Sequence, residues 1–465
     1  MTSSWQRKEL PFLILYAVGF YFIIIRRSLQ ISHDHYTKLY GLRPGWIADR
    51  LNDVSDAQWR NFRGNLLILT LVFGIFALVA TASRSYGLKA KGMSIVWLLL
   101  SMAYLSYLHG ACIVYILSIA SANYLLVKVC GRTKYVFLLW IFNLAFLICN
   151  RVYGGYPFFL FGPKWAYLDN YRGTFRWHIC FNFVVLRMIS FGYDYHWAGH
   201  DNRFDLELDT PQKTYSVQDV VWYGLRWIFS LMLMETMTHF FYYNAFAISG
   251  TWKYLSPLDI FVIGYGVLNF MWLKFFLLWR YFRFWSLVNG IEAPENMPRC
   301  LNNCYNLESF WKNWHASFNK WLVRYMYIPL GGTQRKLLNV WVIFTFVAIW
   351  HDLEWKLLSW AWLTCIFFVP EMMVKSAANA LKVESSFGKF LCRELSAVAG
   401  AITITCLMVA NLVGFVIGPS GINWFLSRFL QKEGLPTLGG MFITFYVGTK
   451  LMFHISEAKK NAHGR

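Results

Sequence analysis

Long apolar stretches recur along the whole chain, and nothing else in it constrains the fold as strongly. A transmembrane helix needs about 20 mainly apolar residues. Stretches of this kind occur at Pro11–Ile25, Asn65–Ala82, Met93–Leu108, Cys112–Val127, Tyr135–Cys149 and Arg176–Phe191. They continue at Val220–Phe246, Leu258–Leu278, Leu337–Trp350, Leu357–Val374, Leu395–Ile417 and Leu438–Phe453. The sequence therefore reads as an all-α polytopic transmembrane helix bundle of about eleven or twelve spans. Composition agrees: 57% of the 465 residues are hydrophobic, 20% aromatic and only 15% charged. A soluble domain carries roughly a quarter charged residues. Apolar dominance excludes disorder, and nine cysteines without regular spacing exclude a small disulfide scaffold. Trp and Tyr crowd the segment ends, as interfacial belts do.

The net charge of +20 would suggest nucleic acid in a soluble protein. In a membrane protein, cytosolic loops rich in Lys and Arg account for it, and no nucleic-acid-binding motif is present. Arg7 and Lys8 precede the first apolar run, and Arg26 and Arg27 follow it without a small-residue cleavage site. That pattern predicts an uncleaved anchor. Basic residues weigh toward the N-terminal side mainly through Arg280–Lys336, which places the N-terminus in the cytosol. No internal repeat supports an inverted-repeat transporter. Two polar connections, Gln30–Arg63 and Asp194–Asp219, interrupt the pattern, and neither reads as a separate domain. Residues 1–465 thus form one membrane-embedded domain.

Chemistry concentrates in Phe310–Gly332, FWKNWHASFNKWLVRYMYIPLGG. Trp311, Trp314, Phe318, Trp321 and Tyr325 fall at steps of three and four, which predicts one aromatic stripe on a helix. Lys312, Lys320 and Arg324 fall on another face. Such a helix is too polar for an ordinary span and is expected to lie in the interface or to re-enter the protein. Pro329, Gly331 and Gly332 stop it. His315 lies one turn from Trp311 and Asn319. His351 ends the next apolar run, where an ionisable group marks function by default. A solvated His on an amphipathic face and an interfacial His at a helix end are the plainer readings. The Pro-Gly-Gly break folds the chain back, so the two rings are expected to face one internal cavity. Such a pair suits acyl transfer: one neutral imidazole takes the proton of an attacking hydroxyl, and the other orients the acceptor or the thioester carbonyl.

NWHASFNKWLVRYMYIPLGG followed by FVAIWHD resembles the signature of the membrane-bound O-acyltransferase family. In the family's pair, the variable position corresponds to His315 and the near-invariant His to His351. RMISFGYDYHWA at Arg187–Ala198, the Pro298–Cys300 tripeptide and RYMYIPLGG resemble the glycerol-uptake group, which is related to the hedgehog acyltransferases. The resemblance implies a catalytic core over 176–374, an internal acyl tunnel, and acyl-CoA as co-substrate. It implies a lipid acceptor, such as a glycosylphosphatidylinositol lyso-lipid, in the multi-pass membrane of the endoplasmic reticulum. The protein-modifying branch tends to carry Asp where this chain has His315, which favours the lipid acceptor.

His351 is assigned as general base and His315 as its partner. Asn319, Lys320, Arg324 and Trp314 are assigned to substrate binding, with the cations meeting the anionic CoA head. No obligate protein partner is implied. In the hedgehog branch a Cys matching Cys300 is implied as a haem thiolate ligand; reversible S-acylation or a plain buried cysteine are the alternatives. Metal binding is not expected, because His33, Asp34, His35, Asp194, His196, His200 and Asp201 lack ligand spacing. Arg187, mid-segment, is expected to meet acyl-CoA phosphates or to pair with Asp194 or Glu235. Three rival readings stand beside the lipid acyltransferase. One is a protein acyltransferase of the hedgehog type. Another is a glycerol–proton transporter using intramembrane His and Glu235, and the third is a catalytically silent regulator.

Overall fold

The computed structural model describes residues 4–130, 135–201, 215–380 and 385–463. Each expected apolar stretch lies on a helix, and the described residues hold almost no strand. Helix α1, Ser4–His35, leads into a short hairpin of β1, Leu42–Pro44, and β2, Leu51–Asp53, paired Leu42↔Asp53. Then come α2, Ala57–Gly64; α3, Leu66–Ser85; α4, Ala90–His109; α5, Ile113–Val129; α6, Tyr135–Val152; and α7, Trp177–Asp201. The next are α8, Val217–Phe240; α9, Tyr243–Ser249; α10, Pro257–Val288; α11, Leu307–Asn313; and α12, Ala316–Leu322. The last five are α13, Lys336–His351; α14, Trp355–Ala380; α15, Ser386–Leu412; α16, Ile422–Leu430; and α17, Leu435–His463.

Eight helical stretches among the described residues are long and apolar enough to cross a membrane, fewer than the eleven or twelve expected. Helices α4 and α5 run on as one stretch, Lys91–Val129, broken locally at Gly110. Helix α13 has only 16 residues, and α7 and α8 carry charged residues along their length. The expected Val220–Phe246 span splits where Tyr242 turns left-handed, φ 49°. Of the Asp194–Asp219 connection, α7 takes the first part and a Ser216–Asp219 capping box starts α8; residues 202–214 lie outside the described ones.

The chain divides into two units, and the expected core over 176–374 is shared between them. Unit 1 comprises Met1–Leu69, Tyr215–Lys320 and Ser359–Arg465. Its centre is α10, which is apolar on all sides, as a helix with neighbours all round must be, and which packs against α1, α8, α9, α15 and α17. Gly266 permits one close approach: a Cβ there would lie 2.1 Å from the Tyr243 ring, whose hydroxyl bonds Ser28 at 2.8 Å.

Several charges inside unit 1 are paired, as burial favours. Arg27 grips Asp259 with two bonds, 2.6 and 3.0 Å. Arg63 grips Glu235 at 2.8 and 3.1 Å, and the Trp46 indole also donates to that carboxylate at 2.8 Å. Glu235 is thereby fixed in a structural ion pair rather than presented as a proton carrier. A larger network joins α1, α15 and α17. Arg393 reaches Glu9 at 3.2 Å and Glu457 at 2.8 Å, Lys450 reaches Glu9 at 2.7 Å and Glu394 at 2.8 Å, and His454 meets Glu9 at 3.0 Å.

Unit 2 comprises Thr70–Thr214 and Trp321–Leu358. Helices α5, α6 and α7 pack on one another. Inside this packing the Asn143 amide nitrogen donates to the Asn123 side chain and to the Leu139 carbonyl, both at 2.9 Å. Helix α13 is held through Phe346, which meets Trp140 at 5.5 Å and stacks on Trp321 at 6.0 Å.

Candidate active site

His315 belongs to unit 1. The expected single helix over Phe310–Gly332 is two short helices, because the backbone breaks at Trp314 and His315. Trp314 is extended and His315 is left-handed, φ 49°. A residue with a Cβ seldom adopts that conformation, and where one does the surroundings hold it there. Here Asn296 holds it. Its carbonyl accepts from Ala316 N at 3.0 Å and its side chain from Ser317 N at 2.9 Å. The His315 carbonyl in turn accepts from Asn319 N at 3.0 Å and so starts α12. Trp279 covers the imidazole at 4.3 Å, and Phe318 lies at 5.4 Å.

The approach to His315 is braced from α14. Glu371 accepts from Leu307 N at 2.7 Å and Glu308 N at 3.3 Å, capping the start of α11. Glu308 bonds Lys312 at 2.8 Å and Lys375 at 2.6 Å. These two lysines push its carboxyl down to about 2. The stability this brace adds is present above the ordinary carboxylate range and is lost only as pH falls toward that depressed value.

His351 belongs to unit 2. It ends α13, beside the buried Trp350. The last carbonyls of a helix need partners, and two polar residues from neighbouring helices supply them. Asn182 on α7 donates to the Trp350 carbonyl, and the Trp350 indole donates back to the Asn182 carbonyl at 2.9 Å. Arg151 on α6 donates to the His351 carbonyl at 2.9 Å and lies 3.6 Å from Asp352. A cation at a helix C-terminus also complements the dipole.

The other expected substrate residues divide between the units. Trp314 stacks on Phe310 at 5.6 Å and edges Phe275 at 5.9 Å, and Lys320 is exposed, both in unit 1. Arg324, in unit 2, pairs with Asp194 at 3.1 Å and lies over Trp197 at 5.6 Å. Tyr325 donates to the same carboxylate at 2.8 Å. Asp194 is therefore bound by Arg324 and Glu235 by Arg63, which corrects the expected pairing of either with Arg187; Arg187 is exposed. Cys300 is exposed and not a buried cysteine. Cys304 is buried, directs its thiol at the Cys300 carbonyl at 3.8 Å, and has its pKa pushed up to about 11 by burial. Among the described residues no group of three His, Cys, Asp or Glu could hold a metal ion.

Comparison with known proteins places the chain in a family. The membrane-bound O-acyltransferase (MBOAT) family model matches residues 200–410. The membrane-bound O-acyltransferase gup1 of Schizosaccharomyces pombe is 31% identical over 94% of this chain and 88% of its own. The chain belongs to the membrane-bound O-acyltransferase family. The GUP1 membrane-bound O-acyltransferase of Candida tropicalis is also 31% identical, over 98% of this chain and 88% of its own. Mouse protein-cysteine N-palmitoyltransferase HHAT is 27% identical over 46% of this chain and 45% of its own. Membership makes this a multi-pass membrane acyltransferase, and both candidate histidines fall within the matched family region.

Sequence reasoning missed Trp279, Asn296 and Glu371, which position the His315 segment, and Arg151 and Asn182, which terminate α13. Arg151 and Asn182 did carry a signal, as polar residues in or beside apolar stretches. Asn296 carried none, since nothing local announces a loop amide bound to two backbone nitrogens.

Proposed function

We propose that the protein transfers a fatty acyl chain from acyl-CoA to a hydroxyl of a lipid acceptor, in glycosylphosphatidylinositol-anchor lipid remodelling at the endoplasmic reticulum. The observation that carries the reading is His315, a non-glycine residue held left-handed at a helix break by Asn296 and covered by Trp279. Strained backbone of this kind clusters at working sites. His351 takes the hydroxyl proton, the oxygen attacks the thioester carbon, and the C–S bond breaks. The proton then passes from His351 to the leaving thiolate. His315 orients the acceptor. Asn319, Trp314, Lys320 and Arg324 are assigned to substrate binding, the two cations to the CoA phosphates. No acyl-enzyme forms.

A hydroxyl acceptor is preferred to a protein N-terminus because the O-acyltransferase relatives cover nearly the whole chain and the N-palmitoyltransferase HHAT less than half. A panel of lyso-lipids and peptides with an N-terminal cysteine, assayed with purified protein and acyl-CoA, separates the two. Acylated lyso-lipid is expected; acyl-peptide alone would transfer the reading to the protein acceptor.

Haem is proposed at Cys300, although desolvation by its surroundings raises that thiol's pKa and so disfavours the thiolate a haem iron would need. An axial thiolate needs a reachable sulfur, and the exposed Cys300 offers one where the buried Cys304 does not. Haem bound there would supply a thiolate-ligated iron, and no step of acyl transfer runs through it. A Soret band that is lost in Cys300→Ala and kept in Cys304→Ala is the expected absorption result. A colourless, active preparation removes the assignment.

A further inference from the structure

A buried polar group is costly unless it is hydrogen-bonded, and an unexplained one points to a partner outside the protein. Unit 2 gathers several beside His351. Asn150 is 1% exposed, and neither of its amide atoms has a hydrogen-bond partner among the described residues. The same holds for Tyr115 Oη, Trp177 Nε1, Asn182 Oδ1 and Arg151 Nε.

Contacts link the residues that carry these atoms. Gly155 N donates to the Asn150 carbonyl at 3.0 Å. Gly155 has φ +88°, and a Cβ on it would come within 3.1 Å of both Trp177 Nε1 and His178 Nδ1, so glycine keeps space open at those nitrogens. Trp177 stacks on Tyr115 at 5.3 Å. Asn182 lies one turn beyond His178 on the same face of α7. Arg151 follows Asn150 and bonds the His351 carbonyl.

The chemistry of these atoms selects a ligand class. Trp177 Nε1, Arg151 Nε and the Asn150 amide nitrogen only donate, the two amide oxygens only accept, and the Tyr115 hydroxyl does both. An anion would leave the acceptors unmatched, a metal ion would meet the donors, and an alkyl chain would match nothing. Asp352 balances the Arg151 charge. A hydroxyl donates and accepts without charge. We infer that this cluster is a built site for neutral hydroxyl groups, supplied by water or by a polyol. The site stands on unit 2 geometry and goes beyond the acyl-transfer reading, so its test needs no turnover.

The test is the sign of a stability change in detergent. Removing a group that binds a hydroxyl strips a partner from the network, whereas removing an orphaned group relieves a cost. Tyr115→Phe and Asn150→Leu should each lower the apparent Tm, by about 2 °C or more. If Asn150→Leu does not fold, Tyr115→Phe decides alone. An unchanged or raised Tm in a folded variant overturns the site. Titration with myo-inositol, against trimethylamine oxide as osmolyte control, then identifies the hydroxyl source. A saturating rise in Tm that Asn150→Leu abolishes marks a polyol. A rise matched by the control marks water, which leaves the site standing.

Discussion

His351→Ala is expected to lose acyl transfer by roughly 10²–10⁴-fold, the usual contribution of a general base. That corresponds to about 3–5 kcal/mol in the barrier. Acyl-CoA affinity should persist, because the proposal assigns the CoA head to Lys320 and Arg324 and not to His351. Folding should persist too: Arg151 caps the backbone carbonyl of residue 351, and alanine keeps that carbonyl. His315→Ala should lose less, since it orients and does not take the proton. His315→Asn should recover part of the loss for two reasons. Asparagine tolerates the left-handed backbone that residue 315 needs, and its amide still hydrogen-bonds. Turnover and acyl-CoA binding in matched detergent check all three variants. Full activity in a folded His351→Ala would end the general-base assignment.

Arg393→Met is expected to destabilise unit 1 by about 1–3 kcal/mol: Arg393 itself is buried, but Glu457 is 37% exposed and Glu9 keeps Lys450 and His454. Its side chain is only 10% exposed and bridges Glu9 of α1 and Glu457 of α17. Methionine fills much of the volume but leaves Glu457 without its cation. The comparison that gives the number meaning is Lys356→Met. Lys356 and Glu354 pair at 2.6 Å, yet both are about half exposed, and such pairs contribute at most about 1 kcal/mol. Denaturation midpoints in the same detergent check the difference. Equal losses in the two variants would contradict a structural network between α1, α15 and α17.

The helices were legible in the sequence because apolar length is a one-dimensional signal. The break at His315 was not. Periodicity at steps of three and four carries through Trp314, His315 and Phe318 without interruption, so the stripe reads as one helix. What breaks it is Asn296, on a distant loop, and that tertiary contact leaves no local trace. Position already marks both histidines, His351 at the end of an apolar run and His315 on the polar aromatic stretch, and the motif resemblance pairs them. The charged residues show the same limit. The sequence marks Arg187, Asp194 and Glu235 as groups that need partners, but only folding shows that Asp194 belongs to Arg324 and Glu235 to Arg63. Lysines and arginines are numerous enough that composition cannot choose among them.

The central claim is that an acyl group leaves a thioester and arrives on a lipid hydroxyl. Purified protein in vesicles, supplied with acyl-CoA and a lyso-lipid, tests it most directly by counting free CoA thiol and new ester together. The two are expected to rise in equal amounts, and His351→Ala to lower both by the same roughly 10²–10⁴-fold factor. Labelled glycerol accumulating inside the vesicles, with neither thiol nor ester formed, would contradict it.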